Sequence, residues 1–367
     1  MKIFFDHKIF VNQIYGGPSR YFINLVNELN NLEQTRAKIF APLHINNYIK
    51  NLDKKNIGFA NKIIFQEKFF NSPRLKKKLM NINNHLNKYF LNRFKPDIIH
   101  TTYFDKKNFK SKNKIVVTVF DLIHEIFRKE YCYPDKYFPK KEMLDIADHI
   151  ICISNSTKKD LMEYYNIPDD KISVIYLATD FTLTKNQSPL RDRYILYVGT
   201  RWKYKNFSAL LEVMAKGRNI LQKYKLVTFG GGEFSREEID QIDKFNIDKT
   251  NILQLHGDDN LLKTLYRNAE FFIYPTKYEG FGIPLLESFS QKCPVLCSNI
   301  SSLKEVAGDA ATYFDPNNTQ SILDGIKKIT SNTEYKNKSI EKGLIKLKEF
   351  SWKRCALETL NVYKKLI

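Results

Sequence analysis

Twice along this chain, short and largely apolar runs alternate with longer segments whose apolar residues recur every three or four positions. The runs at 2–5, 98–100, 115–120, 149–153 and 173–176 form the first series. Between the first two lies a helical pattern over 19–32, with Tyr21, Phe22, Leu25, Val26 and Leu29 along one face. Ser154–Thr157 reads as a polar cap on a helix over 158–165. From 178 to 193 the periodicity lapses, and 179–189 reads as a polar linker. A second series follows, with strands predicted at 194–198, 225–229, 252–255 and 271–274 and helices at 207–215, 235–244, 260–267 and 283–291. Unbroken apolar strands between helices need cover on both faces, which means a parallel sheet between helical layers. The expected fold is α/β, with two doubly wound, Rossmann-like domains at 1–180 and 181–349 facing each other across a cleft. A length of 367 residues suits two such domains. Ligands are expected at the carboxyl ends of the strands.

The chemistry concentrates in Tyr278-Glu279-Gly280-Phe281-Gly282-Ile283-Pro284-Leu285-Leu286-Glu287. Seven residues separate the carboxylates of Glu279 and Glu287, and a Gly-Phe-Gly turn lies between them. Glu279 falls on the loop after a strand, and Glu287 about one turn into a helix that has Pro284 in its first turn. Free N–H groups at the helix start, with glycines admitting close approach, suit oxygen ligands. Two carboxylates flanking such a turn can grip the hydroxyls of a nucleotide-sugar. A solvated helix entry explains Glu287 alone equally well, but leaves Gly-Phe-Gly without a purpose.

This stretch resembles the E-x7-E motif of retaining GT-B glycosyltransferases, the group 1 or family 4 enzymes that include bacterial O-antigen and capsule mannosyltransferases. The resemblance extends to Tyr15-Gly16-Gly17-Pro18-Ser19-Arg20, Gly199-Thr200, Lys205-Asn206, Gly230-Gly231-Gly232-Glu233 and Pro294–Asn299. It implies that Glu279, with the N–H groups of Gly280, Phe281 and Gly282, holds the donor sugar, and that Glu287 holds the ribose. Lys205 would neutralise the departing diphosphate. Relatives commonly carry Arg before this lysine; here the residue is Tyr204, and Arg201 is the expected replacement. Gly16 and Gly17 would admit the diphosphate, Gly231 would line the nucleotide side, and His256 would border the base. Arg20 fits a phosphate ligand and an ordinary solvated arginine equally. Asp121, after a strand where relatives carry His-Asp, is expected to hold a sugar hydroxyl and is counted with Glu279 and Lys205 as catalytic. His124 is either a second acceptor contact or a locally satisfied side chain. Residues 350–367 would form a helix crossing back to the first domain.

The implied reaction is retaining transfer of a hexose, mannose from GDP-mannose foremost, to a growing surface glycan such as lipopolysaccharide O-antigen or capsule. UDP-glucose, UDP-galactose, UDP-N-acetylhexosamine and dTDP-rhamnose remain alternative donors, and a non-catalytic binding module is the reading from another class. No D-x-D triplet occurs in the sequence. No metal or cofactor is expected beyond the nucleotide-sugar co-substrate.

The formal charge of +19 is concentrated between Lys50 and Lys114, where seventeen Lys and Arg face four acids. Inside that window Arg74–Lys78 leads into Ile82, Leu86, Tyr89, Phe90 and Phe94, an amphipathic basic helix expected to turn its apolar side to its own domain. The excess of cations is expected to draw the protein to anionic lipid at the cytoplasmic face of the inner membrane, near a lipid-linked or oligosaccharide acceptor. Solubility alone is the blander reading. No nucleic-acid module is visible. No apolar run reaches the ~18 residues of a membrane span, and residues 1–6 lack a signal-peptide core. Five scattered cysteines argue for a reducing compartment.

Overall fold

The computed structural model describes residues 1–63, 72–104, 113–131 and 140–367. The chain divides into two compact units: Met1–Leu177 together with Ser351–Ile367, and Ala178–Phe350. Each is built on a wholly parallel sheet with helices on its faces, the arrangement that unbroken apolar strands require.

In the first unit, strands β1 (Lys2–Phe5), β2 (Arg36–His44), β3 (Ile57–Lys62), β4 (Ile98–Thr101), β5 (Lys114–Val119), β6 (His149–Cys152) and β7 (Ile172–Val174) lie in the order β3-β2-β1-β4-β5-β6-β7. β2 and β3 escape the sequence reading. β2 opens with Arg36 and Lys38 and contains Pro42, while β3 is a half-exposed edge strand with polar residues. The helix Gly17–Asn31 buries Tyr21, Phe22, Leu25, Val26 and Leu29 as its spacing predicts. The C-terminal helix Trp352–Leu366 packs on it, with the Trp352 and Tyr21 rings 6.1 Å apart. Further along the same helix, the Tyr363 hydroxyl meets His100 Nδ1 at 2.5 Å, and His100 Nε2 meets Thr118 Oγ1 at 2.8 Å.

The basic helix Pro73–Phe94 corrects an expectation. Its apolar positions Ile82, Leu86 and Tyr89 are exposed, and Asn83 and Asn87 are buried instead. The reason is a hydrogen-bond demand of β2. Its pairing with β3 shifts register between Ala41 and Leu43, and Asn83 satisfies both peptide groups of Leu43, at 2.8 Å each. Asn87 Nδ2 donates to Phe40 O at 3.2 Å. Leaving buried peptide groups unpaired costs more than exposing two aliphatic side chains. Phe90, Leu91 and Phe94 do turn inward, against Phe4 and Phe40.

In the second unit, β8 (Tyr194–Val198), β9 (Lys225–Phe229), β10 (Ile252–Leu255), β11 (Phe272–Tyr274), β12 (Val295–Ser298) and β13 (Ala311–Phe314) lie in the order β10-β9-β8-β11-β12-β13. One core joins Tyr197, Leu211, Leu226, Ile273, Leu296, Ile322 and Ile326. The segment expected to be a linker is fastened to this unit. The Gln291 side chain donates to Thr182 O and accepts from Thr184 N, at 2.9 and 3.0 Å. Strand order reverses between β1 and β4 in the first unit, and between β8 and β11 in the second. Such reversals open a crevice at the carboxyl ends, because successive crossovers leave on opposite faces. Cys152, Cys293, Cys297 and Cys355 are buried free thiols, and burial pushes the Cys293 thiol up to about 12. Cys132 lies outside the described residues.

Candidate active site

At the reversal in the second unit, the segment after β8 carries Lys205 and the segment after β11 carries Glu279. Their side chains meet, with Lys205 Nζ 2.5 Å from Glu279 Oε1. Tyr274, the last residue of β11, completes the group. Its hydroxyl accepts from Lys205 Nζ at 2.9 Å and donates to Glu279 Oε1 at 2.7 Å. The Lys205 and Glu279 side chains are 13% and 12% exposed, so the pair is poorly screened yet reachable. Burial and then the Glu279 charge hold the Tyr274 phenol well above its usual range, so it stays a donor. The ammonium also lies 5.1 Å from the centre of the Tyr274 ring. Tyr274 is a site residue that sequence reading missed, since it passes for one more apolar strand residue.

Gly-Phe-Gly has a structural account. Gly282 adopts φ +104 as the cap of the helix Ile283–Ser290, and a Cβ there would lie 2.6 Å from Leu303 Cδ2. Phe281 is buried, its ring 5.8 Å from that of Phe350, while Gly280 is buried beside it. The turn is therefore pinned by a side chain, and its backbone direction follows. Glu287, in the second turn of the same helix, is buried and accepts from the Tyr266 hydroxyl at 3.2 Å.

Arg201 is occupied inside the protein. Its side chain is only 3% exposed, and Nε donates to Glu238 Oε1 at 2.7 Å. Nη1 donates to Gly230 O, and Nη2 to Gly232 O and Glu233 O, at 2.8 to 3.1 Å. Its guanidinium carbon stands 4.7 Å from the centre of the Phe234 ring. Gly230, Gly231 and Gly232 all have positive φ, at +87, +77 and +74. Arg201 gathers the carbonyls of this turn on one side, and Gly231 stays exposed at the end of β9. A guanidinium placed to replace the arginine before Lys205 would reach the Lys205–Glu279 pair; this one is held against the glycine turn. His256 is exposed just past β10.

The remaining candidates belong to the first unit. Gly16 caps the helix Gly17–Asn31, and Ser19 Oγ donates to Gly16 O at 2.9 Å. A Cβ on Gly16 would lie 2.3 Å from Gln13 Oε1. Gly17 opens the helix ahead of Pro18. Arg20 is buried, its guanidinium carbon 5.9 Å from the centre of the Tyr48 ring. Asp121 follows β5 by two residues, and its Oδ1 accepts from Ile123 N at 3.2 Å. His124 lies in the short helix Ile123–Ile126 on the loop that starts at Asp121. Burial, then the Lys140 charge, lowers its pKa, against the opposing pull of Asp121 and Glu125. Sequence reading missed what holds this loop: a buried Lys140–Glu125 ion pair at 2.8 Å, with Lys140 Nζ also donating to Asp121 O at 2.8 Å. Tyr165 donates to Glu125 Oε1 at 2.7 Å. A second buried pair, Asp6–Lys8 at 3.3 Å, closes the β1/β4 reversal, with Thr101 and Thr102 donating to the carboxylate.

The two halves match two family profiles, described as Glycosyltransferase Family 4 over residues 15–183 and Glycosyl transferases group 1 over residues 179–345. The chain is 32% identical over 268 residues to the O-antigen chain mannosyltransferase B of Escherichia coli, covering 68% of this chain and 70% of that protein. The chain belongs to the group 1 glycosyltransferases. Salmonella typhimurium's O-antigen chain mannosyltransferase RfbU is 30% identical over 220 residues, covering 56% of this chain and 59% of that one. The fold of this glycosyltransferase is the GT-B fold. It matches sucrose-phosphate synthase from Thermosynechococcus elongatus with TM-score 0.80 at 17% identity, over 100% of this chain and 98% of that one. WaaG, a glycosyltransferase involved in lipopolysaccharide biosynthesis, matches with TM-score 0.72 at 12% identity, over 99% of each chain.

Proposed function

We propose that this glycosyltransferase moves mannose from GDP-mannose to a growing bacterial surface glycan, with retention at the anomeric carbon. The observation that carries the reading is the Lys205–Tyr274–Glu279 group at the β8/β11 reversal. It pairs a cation suited to a diphosphate with a carboxylate suited to sugar hydroxyls. The mannosyl and O-antigen assignments draw on relatives that carry those names.

In this reading the bond between the anomeric carbon and the β-phosphate oxygen breaks, and GDP leaves. The acceptor hydroxyl oxygen bonds to the anomeric carbon on the face the leaving group vacates, and its proton passes to a donor phosphate oxygen. Lys205 turns from Glu279 to the diphosphate and stabilises its developing charge. Glu279, released, takes sugar hydroxyls, with the N–H groups at Gly280–Gly282 beside it. Glu287 takes the ribose, Asp121 and His124 meet the acceptor, and Gly16 and Gly17 admit the diphosphate. Arg201 acts one step back, by shaping the glycine turn that borders the nucleotide. The chemistry draws on no cofactor beyond the nucleotide-sugar. The enzyme works in this reading at the cytoplasmic face of the inner membrane, drawn there by the basic 50–114 segment. No helix among the described residues is long and apolar enough to cross a membrane.

A thermal-shift panel of GDP, UDP and dTDP tests the donor: stabilisation by GDP alone supports the assignment, and a selective response to UDP or dTDP replaces it. Lys205→Ala is expected to lower kcat by about two powers of ten, the usual cost of one lost charge contact in the transition state. Full activity in that variant would remove Lys205 from the mechanism.

A further inference from the structure

The amino end of the first sheet, opposite the end that carries Asp121, holds a pocket. Its cavity is about 280 Å3, lined by Lys2, Arg36, Lys38 and Arg93 over a floor of Phe40, Phe90 and Phe94. Strand geometry puts these cations together. Arg36, Lys38 and Phe40 alternate along β2 and so share one face, and Lys2 stands beside Arg36 in the parallel register of β1 and β2. The last turn of the helix Pro73–Phe94 lies across that face and adds Arg93. Gly58 on β3 leaves room for the Phe40 ring, since a Cβ there would lie 2.4 Å from it.

Some lysines and arginines elsewhere take carboxylate partners, as in Lys114–Asp148, Lys225–Asp192 and Arg193–Glu270, while others, such as Arg218, donate to backbone carbonyls. These four have no carboxylate partner among the described residues. The nearby Asp97 carboxylate accepts the Lys2 backbone N–H, at 2.7 Å. Burial, then the charge of Arg36, already lowers the pKa of Lys38. Four like charges converging on one cavity repel one another, and an anion within it reverses the sign of that interaction. A cation at a helix C-terminus answers the dipole, which accounts for Arg93 but for none of the three cations on strands. The floor is apolar and continues outward through Phe59, whose ring stacks on Phe90 at 5.2 Å, and through Tyr89, which is 60% exposed.

We propose that this pocket binds a phosphate-bearing ligand, with the phosphate among Lys2, Arg36, Lys38 and Arg93 and an apolar body on Phe40, Phe90 and Phe94. None of these residues is among those assigned to donor or acceptor, so the site stands or falls apart from the glycosyl-transfer reading. Two sources supply such a group, an anionic phospholipid headgroup or a soluble phosphate ester, and one experiment separates them. Wild-type protein is titrated with tripolyphosphate by calorimetry and sedimented with vesicles of phosphatidylcholine, with and without phosphatidylglycerol. The double variant Lys38→Gln/Arg93→Gln is compared with Lys244→Gln/Lys327→Gln, which removes the same charge from exposed positions outside both the pocket and the basic 50–114 segment. The pocket variant is expected to lose roughly tenfold or more in affinity, as for lost charge-assisted hydrogen bonds, and the control to stay within about twofold. Loss confined to vesicles identifies the lipid source, and loss that includes tripolyphosphate the soluble one. Equal losses in both variants, or no binding of either probe by wild type, overturns the proposal. Lys38→Arg, which keeps charge and length, retains binding and separates lost charge from lost structure.

Discussion

At the scale of single residues, Arg201 shows how a side chain changes task without changing type. Near Lys205 in sequence, it passes for a phosphate ligand. In the fold its donors go to Glu238 and to the carbonyls of Gly230, Gly232 and Glu233. Arg201→Ala would leave the Glu238 carboxylate and three carbonyls without this partner. The expected loss of stability is about 3 kcal/mol, the lower end for breaking a buried charge pair. Nucleotide affinity should weaken as well, because the glycine turn is no longer held. Arg201→Lys should recover little, since an ammonium lacks the planar fork that reaches four acceptors. Urea unfolding and GDP titration of both variants check this; unchanged affinity in a folded Arg201→Ala would detach the turn from the nucleotide.

At the scale of elements, the helix Pro73–Phe94 shows where periodicity fails as a guide. Spacing of apolar residues selects Ile82 and Leu86 for the inside, yet both are more than a third exposed. The register shift in β2 is a backbone event, and no side-chain pattern in the helix announces it. Asn83→Ala should therefore cost about 2–4 kcal/mol by stranding the two peptide groups of Leu43, whereas Ile82→Ala should cost under about 1. Urea midpoints at constant m decide it, and the reverse ranking would mean that the helix sits the other way round. The neighbouring elements were more legible. Helix Gly17–Asn31 buries the stripe its spacing predicts, packed on β2 and on the C-terminal helix Trp352–Leu366. At the candidate site, Lys205 and Glu279 were legible because each follows an apolar strand and falls in a short motif that resembles the family's. Tyr274 and the Lys140–Glu125 pair were not, since their roles depend on contacts across 5 to 74 positions of sequence.

At the scale of the whole molecule, buried histidines set the response to acid. His100, between Tyr363 and Thr118, has its pKa lowered by burial from 6.5 to about 3, and His44 from 6.5 to about 4. A group with a depressed basic pKa binds fewer protons folded than unfolded between those values. Its contribution is complete above pH 6.5 and is lost as pH falls toward 3 or 4, at up to about 1.4 kcal/mol per pH unit for each group. Asp6, lowered from 3.8, adds its own loss only below that value. The melting temperature should thus begin to fall near pH 6.5, before most carboxylates titrate, and His100→Asn should flatten the slope between pH 6.5 and 4. A flat profile for wild type over that window would refute the assignment. The sequence by itself determined the two α/β sheets and the family's reaction class, because apolar runs and short motifs are local and survive any arrangement of neighbours. It also determined that Lys205 and Glu279 flank strands. Tertiary structure alone decided that these two meet through Tyr274, that Arg201 serves the glycine turn, that Asn83 rather than Ile82 faces inward, and that four cations share one cavity. Each of those is a distance between residues far apart in sequence, fixed by strand order and register rather than by composition.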